Sequence, residues 1–86
     1  MTAAHRAALA ALTDLVETAR RRTVTAHAYG DDALAKALSD VADTLDRART
    51  ILVEEGDTYL DAAWAFVDAG RLTLVRLAAR PARLPA

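Results

Sequence analysis

The stretch DALAKALSDVADTLDRARTILVEE, residues 32–55, carries apolar side chains at positions 34, 38, 41, 45, 48 and 52. These positions are separated alternately by four and three residues, the spacing that aligns side chains along one face of an α-helix. Neither glycine nor proline interrupts the stretch. It therefore predicts an amphipathic helix whose apolar stripe packs against other helices.

Two Gly-Asp pairs, Gly30-Asp31 and Gly56-Asp57, bound this stretch. Each pair joins a residue suited to the left-handed position after a helix with a carboxylate that can cap the next helix. Two tight turns are therefore predicted, separating helices of about residues 2–29, 32–55 and 57–80. Thr58 and Asp61 are spaced like a capping box, so the third helix is expected to begin at Asp57.

The third segment repeats apolar or small residues at 60, 63, 67, 70, 74 and 77, again in steps of three and four. Tyr59, Trp64 and Phe66 widen its apolar arc to about 180°, more than one neighbouring helix requires. This helix is therefore expected to contact more than one neighbour. Gly70 lies within the arc, where it permits a close helix crossing or breaks the helix; the continuing alternation favours an unbroken helix.

Short turns make consecutive helices antiparallel, so the sequence predicts one all-α domain, residues 1–80, built as an antiparallel up-down-up three-helix bundle. A long helical hairpin completed by a second chain is the alternative. Residues 81–86, which begin with Pro81, are expected to form a frayed tail.

A chain of 86 residues buries only a modest fraction of its surface, and 22 of them are alanines, each of which contributes little buried area. There are no cysteines to add a disulfide framework. Further burial is therefore expected from assembly with itself, as a dimer or tetramer, or with another helical protein. The residues predicted to form core plus interface are Leu38, Val41, Leu45, Leu52, Leu60, Trp64, Phe66, Val67 and Leu74.

The first residues lack the basic and apolar regions of a signal peptide, and no apolar run is long enough to span a membrane. A cytoplasmic location without a membrane span is therefore expected. Arginine and alanine are abundant, as in proteins from GC-rich genomes, which points to a bacterial source.

Formal charge is uneven along the chain: residues 1–30 carry +2, residues 31–68 carry −7 and residues 69–86 carry +4. The favoured interpretation is that arginines near helix ends pair with the acidic middle segment. The alternative is a small regulator that contacts nucleic acid through a basic patch where the first and third helices end. The arginines predicted for such a phosphate contact are Arg20, Arg21, Arg22, Arg76 and Arg80.

Residues for catalysis are sparse. His5 is expected to be a solvated residue of the first turn and His27 to lie near the end of the first helix. Neither histidine belongs to a Glu-x-x-His motif, and there is no Gly-rich phosphate loop, so no metal and no cofactor are predicted.

Two small helical enzyme types come into consideration. The spacing Arg22-x-x-x-x-His27 resembles the arginine-to-histidine motif of the HEPN ribonuclease families over six residues. That resemblance implies His27 as a general acid–base and Arg22 as a phosphate contact, although the motif opens a late helix in those families and closes the first helix here. In size the chain also resembles the interlocked-dimer chorismate mutases, but Lys36 is its only lysine and it has no glutamine.

The sequence therefore favours a non-catalytic helical oligomerisation or protein-interaction module. A nucleic-acid regulator is the first alternative, and a small all-helical enzyme or HEPN-like ribonuclease is the second.

Overall fold

The computed structural model describes residues 1–79, in which three long helices follow one another. They are α1 (Ala3–Ala28), α2 (Asp32–Glu55) and α3 (Leu60–Ala78), and a 3₁₀ turn over Gly56–Tyr59 joins the last two. Within the described range every residue from 3 to 78 is helical except 29–31, and no strand occurs there. The predicted all-α class is confirmed. Arg80 and the tail at 81–86 lie outside the described residues.

The turn between α1 and α2 follows the predicted chemistry. Gly30 has a φ of 76°, a left-handed conformation that glycine adopts without steric cost. The Asp31 carboxylate accepts a hydrogen bond from the Leu34 amide at 3.1 Å and so caps the start of α2. The predicted cap at Asp31 is confirmed.

The second junction differs from the prediction. Gly56 is again left-handed, with a φ of 65°, but the chain then forms the 3₁₀ turn and α3 begins only at Leu60. The Thr58 hydroxyl donates to the Glu55 carbonyl at 2.9 Å, and no side chain caps the first turn of α3. The capping box at Thr58 and Asp61 was wrong because Thr58 lies inside the turn, where its hydroxyl bonds backward along the chain.

Two buried clusters fill the space between the helices. The first contains Ala8, Leu12, Val16, Leu45, Ala48, Leu52, Ala63 and Val67. The second contains Ala19, Ala26, Ala35, Leu38, Ala42 and Leu74. Half of these residues are alanines, which bring helix axes close together but give little buried area per residue. The core is therefore thin.

The molecule is long and narrow. Its Cα atoms extend over 52 × 18 × 15 Å, and its radius of gyration is 14.4 Å. A compact globular chain of this length has a radius of gyration of about 12 Å. None of the helices in residues 1–79 is long and apolar enough to cross a membrane.

Candidate interaction surface

An open groove runs between α2 and α3. It has a volume of about 290 Å³ and is lined by Asp40, Val41, Thr44, Leu45, Phe66, Ala69, Gly70 and Thr73. Val41 and Phe66 are only half-buried, whereas Leu45 at the base is fully enclosed. We refer to this feature as the α2–α3 groove.

Gly70 sets the depth of the α2–α3 groove. The glycine is buried, and α3 passes through it without a break. A Cβ atom at this position would lie 2.9 Å from a methyl carbon of Leu45, closer than ordinary van der Waals contact. Glycine therefore allows the two helices to approach each other here, beside the ring of Phe66.

The aromatic residues of α3 do not form one surface. Trp64 and Phe66 are two positions apart, which places them about 160° apart around the helix axis. Phe66 lines the α2–α3 groove. Trp64 shares its flank with Arg71, two turns later, and Arg71 lines a second depression together with Leu15 and Arg22 of α1. Each flank of α3 thus carries one half-buried aromatic residue.

The nine residues predicted as core plus interface fall into two groups. Five are buried: Leu38, Leu45, Leu52, Val67 and Leu74. Four are half-buried: Val41, Leu60, Trp64 and Phe66. The second group packs against the first buried cluster and keeps part of its surface open to solvent.

The predicted phosphate-contacting arginines are distributed over different surfaces. The Arg20 guanidinium lies 3.8 Å from Asp43 and 3.9 Å from Asp46, so it pairs with acidic α2. Arg22 donates a hydrogen bond to the Leu74 carbonyl of α3 at 3.3 Å. Two of the predicted contacts are thus engaged within the chain.

The other three arginines have different surroundings. Arg21 is exposed and donates to the Thr18 hydroxyl at 3.4 Å, within its own helix. Arg76 is exposed on the last turn of α3. Arg80 lies outside the described residues. Of the five predicted arginines, only Arg21 and Arg76 are therefore exposed without a contact to another helix within residues 1–79.

A third depression, of about 300 Å³, lies where the α1–α2 turn meets the end of α3. Leu34, Leu38 and Leu77 form its apolar floor, and Arg22, Tyr29 and Asp31 lie on its walls. The Tyr29 side chain is largely exposed, at 86%. This depression is apolar with a polar edge, but its polar groups do not converge on one point as they do in a specific small-molecule site.

His5 departs from the sequence prediction. The residue is 5% exposed, and its Nδ1 lies 3.4 Å from the Asp57 carboxylate. The Thr2 hydroxyl accepts a hydrogen bond from the His5 amide and lies 3.4 Å from the same carboxylate. The prediction of a solvated His5 was wrong because the 3₁₀ turn brings Asp57 over the first turn of α1. Sequence spacing gave no signal for this contact, since 52 residues separate the two side chains.

The two residues of the HEPN-like spacing lie on different sides of α1. His27 is exposed, and its Nδ1 lies 3.2 Å from the Asp32 carboxylate at the start of α2. Arg22 instead reaches across to α3. Five residues on a helix correspond to a rotation of about 140°, which accounts for this separation. The structure does not bring Arg22 and His27 together.

Within residues 1–79 no three side chains of the metal-binding types are grouped so that they could hold an ion. Comparison with protein-family models, with curated proteins and with solved structures gives no match to this chain.

Proposed function

We propose that this chain is a non-catalytic helical assembly module that packs its α2 and α3 faces against itself or against another helical protein. The observation that carries the proposal is the α2–α3 groove, where the half-buried Phe66 and Val41 lie beside an open apolar space. Aromatic side chains, phenylalanine among them, are enriched at protein interfaces relative to the rest of the surface.

The proposal includes an antiparallel up-down-up bundle as the assembling unit. Contacts at both ends of the molecule support this arrangement. Thr2, before the start of α1, lies near Asp57, before the start of α3. Arg22, near the end of α1, bonds to Leu74, near the end of α3, so α1 and α3 run in the same direction. The thin alanine core supports the need for further burial, because a short chain with small core residues gains little hydrophobic free energy alone. The arginine- and alanine-rich composition supports a bacterial setting.

The solution mass of the purified chain tests the proposal. We expect static light scattering to report a species larger than the 9.2 kDa chain, with a mass that changes little between low and high salt. Burial of apolar surface is insensitive to screening and is strengthened by many salts. A chain that is monomeric at every concentration contradicts self-assembly and directs the search to a separate helical protein.

The alternative, contact with nucleic acid, has one observation in its favour. Arg22 and Arg71 line the same open depression between α1 and α3, which brings basic residues of two helices together. Binding to a short oligonucleotide, followed by fluorescence anisotropy, tests it. Phosphate contacts predict an affinity that falls steeply as salt rises, the opposite of the salt response expected for apolar assembly.

A further inference from the structure

The side of α3 that faces away from the core carries a second apolar line. Ala62, Ala65, Ala69 and Leu72 are all exposed and follow one another at intervals of three, four and three residues. This spacing places them along one stripe of the helix. The half-buried Phe66 borders the stripe on the side of the α2–α3 groove. We call these four residues together with Phe66 the outer surface of α3.

Opposite charges lie at the two ends of this surface. Asp61 precedes it and Arg76 follows it, and both side chains are exposed. Neither forms an ion pair with another residue in the range 1–79. Glu55 and Asp57 add further negative charge at the Asp61 end. The outer surface of α3 is therefore apolar along its stripe, negative at one end and positive at the other, and the exposed Asp68 borders it on the flank that also carries Asp61.

We propose that the outer surface of α3 binds the same surface of a second copy of this chain, with the two α3 helices antiparallel about a two-fold axis near Val67. This proposal rests on the proposed function and adds the partner and the geometry. Antiparallel pairing about Val67 places Ala65 opposite the partner's Ala69, and Ala62 opposite the partner's Leu72. Each of these facing pairs contains at least one alanine, whose small side chain allows the two helices to approach closely.

The charges favour an antiparallel pair over a parallel one. In the antiparallel pair Arg76 comes within about one helical turn, roughly 5 Å along the axis, of the partner's Asp61. A parallel pair would instead set arginine beside arginine and aspartate beside aspartate. Antiparallel helix dipoles also oppose each other favourably. A surface whose charges complement those of its own two-fold-related copy is suited to an isologous interface, so the expected partner is a second copy of this chain.

The α2–α3 groove supplies area that α3 alone lacks. A helix of 19 residues is about 28 Å long, and a stable interface buries roughly 1,200 Å² or more in total. Phe66 and the adjoining groove wall at Val41 and Thr44 extend the contact onto α2. The proposed dimer is therefore a four-helix layer of two α2–α3 pairs, with each α1 on the outside.

Cysteine cross-linking tests the geometry, and the natural chain has no cysteine to interfere. We would prepare Ala65→Cys and Ala69→Cys chains, mix them and allow them to oxidise. The antiparallel pair predicts that the mixed disulfide forms several-fold faster than either symmetric disulfide, because unlike positions lie at the same level. Symmetric disulfides that dominate at both positions would show a parallel pair and overturn the proposal. Rates no higher than those of an Ala10→Cys control, exposed on α1, would also overturn it.

A charge introduced into the outer surface, at a position that also borders the α2–α3 groove, tests whether this surface is buried in the dimer. Ala69 is exposed, so Ala69→Glu is expected to keep its helical circular dichroism and lose the dimer, whereas the matched Ala10→Glu keeps both. A dimer that persists in Ala69→Glu overturns the antiparallel α3 pair and leaves self-assembly standing. A natural chain that is monomeric at every concentration overturns both proposals.

Discussion

The imidazole of His5 is the one buried side chain in residues 1–79 whose polar atom lacks a hydrogen-bond partner. Its Nε2 is enclosed and makes no hydrogen bond to the described residues, while Nδ1 faces the Asp57 carboxylate. An unsatisfied buried polar atom costs about 1–3 kcal/mol relative to a satisfied one. The unsatisfied Nε2 is therefore expected to reduce the stability of the fold where the first turn of α1 meets the α2–α3 junction, and the contact of Nδ1 with Asp57 offsets part of that cost.

Replacing His5 with leucine is expected to leave the free energy of unfolding unchanged or to raise it by up to about 1 kcal/mol. The substitution removes the unsatisfied nitrogen together with the Nδ1 contact to Asp57, and it places an apolar side chain of similar size in the same enclosed space. Urea denaturation followed by circular dichroism measures the change. His27→Leu is the control, because His27 is exposed and its substitution should change stability by less than about 0.5 kcal/mol. A loss of more than about 1 kcal/mol in His5→Leu would show that the imidazole makes a stabilising contact.

The junction before α2 has a side-chain cap and the junction before α3 has none, so substitutions at the two junctions are expected to change the free energy of unfolding by different amounts. The Asp31 carboxylate caps α2, whereas Thr58 caps no helix and bonds backward to Glu55. Asp31→Ala is therefore expected to lower the free energy of unfolding by about 1 kcal/mol. Thr58→Ala should lower it by less than about 0.5 kcal/mol. Chemical denaturation of both variants checks this, and equal losses would argue for a true cap at Thr58.

Local pattern predicted much of the helical structure. The bounds of α2, Asp32–Glu55, coincide with the predicted helix at residues 32–55, because an apolar stripe, a preceding cap and a following glycine all agree there. The start of α3 was missed because Gly56-Asp57 resembles Gly30-Asp31 in sequence. The carboxylate of Asp57 lies against His5 instead of capping a helix, and that choice depends on a contact 52 residues away.

For Gly70 and the aromatic residues of α3, the sequence pattern was not sufficient to predict the contacts that they make. The alternation around Gly70 favoured a continuous helix, and α3 does run through it. The structure adds why a glycine stands there, because Leu45 of α2 leaves no room for a Cβ atom. An apolar arc of about 180° places Trp64 and Phe66 on opposite flanks, yet only the packed structure shows that Phe66 faces an open groove. The sequence therefore predicted which residues are available at the α2–α3 groove, but not where on the molecule the groove lies.

At the scale of the whole molecule, assembly and folding are expected to be coupled. A thin core leaves each chain with little stability of its own, so formation of a dimer should raise the unfolding temperature by mass action. Thermal melts across a wide range of protein concentrations are expected to show a midpoint that rises by several degrees. In Ala69→Glu the midpoint should not depend on concentration. A constant midpoint in the natural chain would indicate that the monomer is the stable unit.

The elongated outline, 52 Å long and 18 Å across, also affects how the molecule moves through solution. A rod with an axial ratio of about 3 experiences more friction than a sphere of equal mass, so it diffuses more slowly and leaves a sizing column earlier. One chain therefore mimics the elution of a heavier globular protein. Two chains laid side by side in antiparallel register would thicken the particle with little added length. Dimerisation would then double the mass while making the particle rounder. The hydrodynamic radius, which sets the elution position, would grow little, whereas the sedimentation coefficient, which depends on mass divided by friction, would rise strongly.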